Sequence, residues 1–271
     1  MKTAIVIPAR YGSTRLPGKP LAVIAGKTML QRTVQIAQNA AKTLDNVTLA
    51  VATDHESILK HCEQLDIKGI MTPVNCPTGT HRVEAALWQL DQQPDFIINL
   101  QADAPLTPPD FITAMIESQK RNSCDMMTLV SQMTWEQLDI FRENKKTTPF
   151  SGTLAFFDPV TGNAHWFSKN MVPALRNEKA LREESALSPL YRHIGIYGYS
   201  RRMLLKYTSL PEGGFEAMEG LEQLRALENG YSIRCVPVDY KGRASMSGVD
   251  SPEDVGRAEA LIAKHGELLA A

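Results

Sequence analysis

Hydrophobic and polar positions follow two alternating periods through the first half of this 271-residue chain. Short apolar runs bounded by turn residues predict strands at Thr3–Ile7, Val47–Thr53, Lys68–Thr72 and Asp95–Leu100, the last the most apolar. Between them, apolar residues spaced three or four apart predict helices over Thr28–Thr43, Ser57–Leu65, Thr80–Leu90 and Pro108–Arg121. This β-α-β-α order implies an α/β fold with a mostly parallel central sheet flanked by helices on both faces.

The second half is less regular. A strand is expected at Asp125–Gln132, followed by a polar stretch, RENKKTTPFSG. Gly152–Phe157 and Ala164–Phe167 flank DPVTGN and predict a β-hairpin. Ala174–Pro189 is charged and poor in large apolar residues, the pattern of a mobile loop or ragged helix. His193–Tyr199 and Ile233–Val238 predict strands, and Glu216–Asn229 predicts one helix. The final helix, Ser251–Lys264, has Ser251 as its cap, Pro252 in its first turn and Asp254 in the capping-box position. With no repeats and no low-complexity linker, one domain over residues 1–271 with an inserted hairpin region at about 145–190 is the simplest organisation.

The loop after the first strand adds chemistry to this pattern. It places Arg10, Arg15 and Lys19 among Gly12, Pro17, Gly18 and Pro20, with little else that could pack. A solvated surface loop is the plain alternative. A flexible basic loop at the carboxyl end of a parallel strand favours a phosphate cradle. Arginine forks match phosphate oxygens and lysine adds a point charge. No GxxxxGK[ST] string is present, so this is not a P-loop.

A formal net charge of −1 gives no global basic field for nucleic acid or a membrane surface, so any polyanion is a small one held locally. Four scattered cysteines without a CxxC suggest neither zinc nor a disulfide framework. No signal-peptide core and no span-length apolar stretch are present, and a cytoplasmic location is expected. A polyphosphate site calls for Mg²⁺, and Mg²⁺ for carboxylates at strand ends. Asp103, in NLQADAPL, and Asp250, in SMSGVDSPED, are the candidates. Asp103 could instead cap a turn before Pro105. Asp250 could instead serve the last helix, although Ser251 fits that role better.

IPARYGSTRLPGKPL, TGTHR, NLQADAPL, FSK, RHIGIYGY, GLEQLRALENG and GVDSPED together resemble the bacterial CMP-Kdo synthetases, the 3-deoxy-manno-octulosonate (Kdo) cytidylyltransferases. The likeness runs from Ile5 to about residue 263. The first motif is shared by several sugar nucleotidyltransferases; RHIGIYGY with LEQLR and GVDSPED is specific to this group. The resemblance implies a nucleotide-diphospho-sugar transferase fold whose inserted hairpin serves dimerisation, and a homodimer. It also implies transfer of CMP from CTP to a sugar acid with release of pyrophosphate, for lipopolysaccharide biosynthesis. By the same resemblance Ala9, Arg10, Ser13, Arg15 and Lys19 form the triphosphate loop, and Thr80, Arg82 and Gln101 help hold the nucleotide. Asp103 and Asp250 would bind Mg²⁺, and Arg10, Lys19, Asp103 and Asp250 form the catalytic set. Lys169, His193, Tyr197, Glu222 and Gln223 match the sugar-acid pocket. Without the motif, His193 would be a core histidine, and Glu222 and Gln223 a solvated helix face.

The chain departs from the family pattern in places. QGDEP is QADAP here, placing Ala104 beside the metal ligand, and TER is THR, placing His81 where the family has an acid. The arginine of FSR is Lys169, which cannot form the bidentate fork. KKTTPFSGTL replaces the family's Asn-Pro-Asn stretch and the Val-Lys pair that follows it. The nucleotide side therefore matches while the acceptor side differs. An amino-substituted Kdo, another ulosonic acid or a phosphonate stands as the alternative acceptor. A glycosyltransferase would usually show a DxD pair, whereas ADA supplies one Asp; a nucleotide sensor would be expected to lose Lys19 or a metal ligand.

Overall fold

The structure, a computed structural model, describes residues 1–13, 15–243, 245–246 and 248–267. The chain runs through β1 (Thr3–Ala9), a hairpin of β2 (Val23–Ile24) and β3 (Lys27–Thr28), α1 (Met29–Ala41), β4 (Val47–Thr53) and α2 (Glu56–Gln64). It continues through β5 (Lys68–Met71), α3 (Gly79–Leu87), β6 (Phe96–Asn99) and α4 (Pro109–Arg121). Next come β7 (Met126–Thr134), α5 (Trp135–Thr147), β8 (Leu154–Phe157), β9 (Ala164–Ser168), α6 (Glu178–Glu184) and β10 (Leu187–Ser200). Last are α7 (Arg201–Tyr207), α8 (Gly214–Glu219), α9 (Gln223–Glu228), β11 (Arg234–Pro237) and α10 (Pro252–His265). Among the described residues, no helix is long and apolar enough to cross a membrane.

These elements form two compact units, one of Met1–Ser123, Ile196–Thr208 and Tyr240–Ala271, the other of Cys124–Gly195 and Ser209–Asp239. In the first, β1 lies parallel between β4 and β6, and β5 extends the parallel set beyond β4. The end of β10 pairs antiparallel with β6, from Tyr197 opposite Asn99 to Ser200 opposite Phe96. All seven residues of β1 are buried, as a central strand covered on both faces requires. The carboxyl ends of β1 and β6 release the loops that carry Arg10, Lys19 and Asp103, which is why these residues converge.

In the second unit β11 runs parallel to β7, and β8 pairs antiparallel with β9 and, at Ala155 and Leu154, with Tyr191 and Arg192 of β10. Its core gathers Met133, Trp135, Leu138, Phe141, Leu154 and Leu190. The predicted hairpin is present, but the unit that contains it begins at Cys124, well before residue 145, and takes up a second segment after residue 208.

Three segments differ in detail from the pattern. Residues 142–147, in the polar stretch to which no element was assigned, belong to α5. Thr134 and Gln137 form a capping box at its start, and Trp135, Leu138 and Phe141 bury one face. The single helix predicted over Glu216–Asn229 is two, because Gly220 ends α8 in the left-handed region at φ 59°. Ala174–Pro189, expected as a mobile loop or a ragged helix, holds the short helix α6 and the start of β10, with α6 fastened by ion pairs and by Leu181 against the core. The β2–β3 hairpin and α7 carried too few periodic positions to be foreseen.

Candidate active site

In the first unit a cavity of about 350 Å³ opens at the carboxyl ends of β1 and β6. That volume suits a small ligand. Ala9, Arg10, Ser13, Arg15, Lys19, Arg82, Gln101, Asp103 and Asp250 all line it. The basic loop is shaped by Gly18, whose φ of 65° starts the 3-10 turn Lys19–Leu21 and leaves Pro20 buried behind it. Tyr11 fixes the front of the loop. Its N–H donates to Asp54 Oδ1 at 2.9 Å, and its ring stacks on His55 at 3.8 Å between centroids.

Lys19 is the centre of the charge arrangement. Its Nζ donates to Asp103 Oδ2 at 2.6 Å and to Asp250 Oδ1 at 2.7 Å, while Arg15 pairs with Asp250 at 3.2 Å. Burial alone would lower the Lys19 ammonium, but the two carboxylates outweigh it and hold its pKa above the usual 10.5. Asp250 moves the opposite way. Burial would raise it, yet Lys19 and Arg15 leave it below the ordinary carboxylate value of 3.8.

Backbone contacts bring the two aspartates together. Val249 N–H donates to Asp103 O at 2.8 Å, and Gly248 passes so near that an added methyl would stand 3.3 Å from the Asp103 carboxyl carbon. The capping box of Ser251 and Asp254 then starts α10, with the Asp254 carboxylate accepting the Asp250 N–H as well. Ser251 and Asp254 thus serve the helix terminus, and the Asp250 side chain is directed to Lys19. Leu106, Val249 and Ala258 pack with Ile24 and Met29, which seats α10 against the β2–β3 hairpin.

Two predicted nucleotide residues take supporting places. Thr80 is fully buried, and its Oγ1 accepts from Asn99 Nδ2 at 3.1 Å; Asn99 Oδ1 in turn accepts from Gln101 Nε2 at 2.8 Å. Thr80 therefore orients Gln101 rather than lining the cavity. Arg82 lines the wall, but its guanidinium is shared among Thr72 Oγ1 at 2.6 Å, Pro73 O and Asp54 Oδ2 at 3.0 Å. Asp54, Cys76, Pro77 and Thr78 also shape this region and were missed by the sequence reading. Only Asp54, just past an apolar strand, carried a usable signal.

The expected acceptor residues divide between the units. Tyr197, in the first, is nearly buried, with its ring 6.2 Å from that of Tyr199. In the second, Lys169 Nζ donates to Gly220 O at 3.3 Å, and Glu219 accepts from Lys169 N–H and Ser168 Oγ. Glu222 precedes α9, and Gln223, its first residue, is buried. Burial, with Lys169 and Arg192 nearby, lowers the pKa of Lys145, a cation that the sequence reading did not single out. His193 meets the Phe167 ring edge-on and lies 2.8 Å from Thr128 Oγ1. The same Thr128 hydroxyl lies 3.2 Å from Ile194 O. Desolvation pushes this imidazole down to about 3, so it is neutral near pH 7.

Two carboxylates converging on one cation match what Mg²⁺ takes from protein in phosphoryl sites, where water and phosphate oxygens complete the shell. Among the described residues no group of three or more His, Cys, Asp or Glu side chains is placed to hold a metal.

A family model described as cytidylyltransferase matches residues 4–233. A 3-deoxy-manno-octulosonate cytidylyltransferase of Maricaulis maris is 43% identical over 99% of this chain and 100% of the relative. One of Thermodesulfovibrio yellowstonii is 38% identical over 97% of this chain and 98% of the relative. Among solved structures, a CMP:2-keto-3-deoxy-manno-octonic acid synthetase complexed with CTP superposes with TM-score 0.80 at 32% identity, covering 97% of this chain and 99% of that one.

Proposed function

Because the chain belongs to the cytidylyltransferase family, we propose that it transfers CMP from CTP to the anomeric hydroxyl of Kdo and releases pyrophosphate. The observation that carries this reading is the cavity in which Arg10, Arg15 and Lys19 face Asp103 and Asp250. Three cations match a triphosphate, and two carboxylates fit a divalent ion, taken here as Mg²⁺ held by Asp103 and Asp250. When bound, that ion supplies positive charge to the phosphates and lowers the pKa of the attacking hydroxyl.

The remaining work falls to side chains. Arg10 and Arg15 orient the phosphate chain, Lys19 neutralises the departing pyrophosphate, and Gln101, fixed through Asn99 and Thr80, borders the nucleotide. Lys169, Tyr197, Glu222 and Gln223 hold the sugar acid. His193, neutral, offers hydrogen bonding rather than a charge. A homodimer working in the cytoplasm for lipopolysaccharide biosynthesis completes the proposal.

The test is pyrophosphate release by the purified protein with CTP, Mg²⁺ and Kdo, run beside an amino-substituted Kdo and another ulosonic acid. Release with Kdo at the highest kcat/KM is expected. Release with a different acceptor alone would retain the cytidylyl transfer and replace Kdo. No release with any acceptor would overturn the reading.

A further inference from the structure

The Lys19 ammonium lies 2.6 Å from Asp103 Oδ2 and 2.7 Å from Asp250 Oδ1, with its side chain only 15% exposed. A Mg²⁺ ion binds carboxylate oxygens at about 2.0–2.1 Å. Two cations cannot use the same pair of oxygens at these distances without strong mutual repulsion. Counting Arg15, the cluster is already balanced, two carboxylates against two cations. Resting on the proposed CTP-dependent transfer, we propose that Lys19 is a tethered competitor of the divalent ion, and that the triphosphate draws its ammonium off Asp103 and Asp250 so that they can take the metal.

The local build suits such a displacement. The backbone at Lys19 is fixed, with Leu21 N–H bonded to Gly18 O at 2.8 Å and Ala22 N–H to Lys19 O at 3.1 Å. The side chain above it is a flexible four-carbon stem ending in a point charge. Lys19 lines the same cavity as Arg10, Ser13 and Arg15, so a triphosphate held by those residues lies within its sweep. Arg15, pairing with Asp250 through a side chain that is 68% exposed, would be drawn the same way. Nucleotide and metal then bind with positive coupling. Linkage makes that coupling reciprocal, with each raising the affinity of the other by the same factor.

The first measurement is Mn²⁺ affinity without nucleotide, read by electron paramagnetic resonance of the free ion, for the wild type, Lys19→Met, Asp103→Asn and Asp250→Asn. Lys19→Met should bind Mn²⁺ about tenfold more tightly than the wild type, within the roughly 5–150-fold range of ordinary coupling. Equal or weaker binding would overturn the competitor role. Both Asn variants should bind less than the wild type. Mn²⁺ binding untouched by either Asn change would instead sink the metal assignment, and the inference with it. The second measurement uses the wild type alone and so does not depend on a variant folding. The rate of reductive methylation of Lys19, followed by mass spectrometry, should rise as Mg²⁺ is added and displaces the ammonium from the carboxylates. A rate that stays constant while the ion saturates the protein would refute the competition.

Discussion

Lys19 holds two roles, partner of Asp103 and Asp250 in the structure and counter-charge to pyrophosphate in the proposed reaction, and the second can be tested directly. At saturating CTP, Lys19→Ala should lower kcat by about 10²–10³-fold, the scale of losing one preorganised stabilising donor. Near-normal kcat would return the opening loop to the surface role that an isolated basic cluster usually has. Asp103→Asn and Asp250→Asn should each remove metal-dependent turnover. Their melting temperatures should move little, because each change leaves Lys19 one carboxylate and the lost pair is partly exposed, worth about 0–1 kcal/mol. Retained turnover with unchanged metal dependence would make that residue a structural cap. These three residues were legible in the chain because each follows a strand or precedes a capped helix. Their pairing was not, since Lys19 lies 84 positions from Asp103 and 231 from Asp250. The Thr80–Asn99–Gln101 relay was hidden for the same reason: a motif marks a residue as present without saying whether it touches the ligand or holds one that does.

Elements with clean periods were read well, whereas the short β2–β3 hairpin and α7 of the first unit and α6 of the second carry too few periodic positions. α6 is the clearest case. It buries no residue, and it is tied by Glu178, which accepts from Arg142 at 2.8 and 2.7 Å and from Arg182 at 2.9 and 2.7 Å. These guanidinium bonds hold the Glu178 carboxyl down to about 2 from its ordinary 4.5. A depressed folded value means that the clamp stabilises fully above about pH 4.5 and is lost as pH falls through about 2. Amide exchange in α6, referenced to α1 in the same sample, should therefore accelerate across that window. Glu178→Gln should exchange faster at neutral pH and lose the dependence; unchanged α6 protection in that variant would refute the clamp. The break between α8 and α9 has another origin. Gly220 adopts φ 59°, and a methyl there would stand 3.1 Å from Lys169 Nζ. Gly220→Ala should cost about 1–2 kcal/mol and shift Lys169, seen as a lower melting temperature. Helical spacing runs through LEQLRALENG without a gap, so only the glycine itself pointed to the break.

Over the whole molecule, the residues expected to hold CTP fall in the first unit, and all but Tyr197 of those expected to hold the sugar acid fall in the second. That division gives the acceptor question a kinetic signature, because a substitution in one set should move one KM and spare the other. Lys169 is the position to use. It departs from the family's arginine, and among the described residues its Nζ donates to a backbone carbonyl, Gly220 O at 3.3 Å. An arginine gripping a carboxylate makes two parallel charge-assisted bonds, whereas lysine gives charge with less orientation. If Kdo is the acceptor, Lys169→Arg should leave its KM unchanged or lower it, since the carboxylate gains a second bond. If the acceptor has another shape, the longer planar guanidinium should misplace it and raise its KM. In both cases the KM for CTP should hold steady, because the triphosphate loop is a separate element. Both KM values, measured for the wild type and the variant with each acceptor, decide the matter. A change confined to CTP would place Lys169 on the nucleotide and remove it from the acceptor set. The expected result is a Kdo KM equal to or below that of the wild type, because under the proposed reading His193, which is neutral, together with Glu222 and Gln223 would supply the sugar's other polar contacts and leave the carboxylate to residue 169.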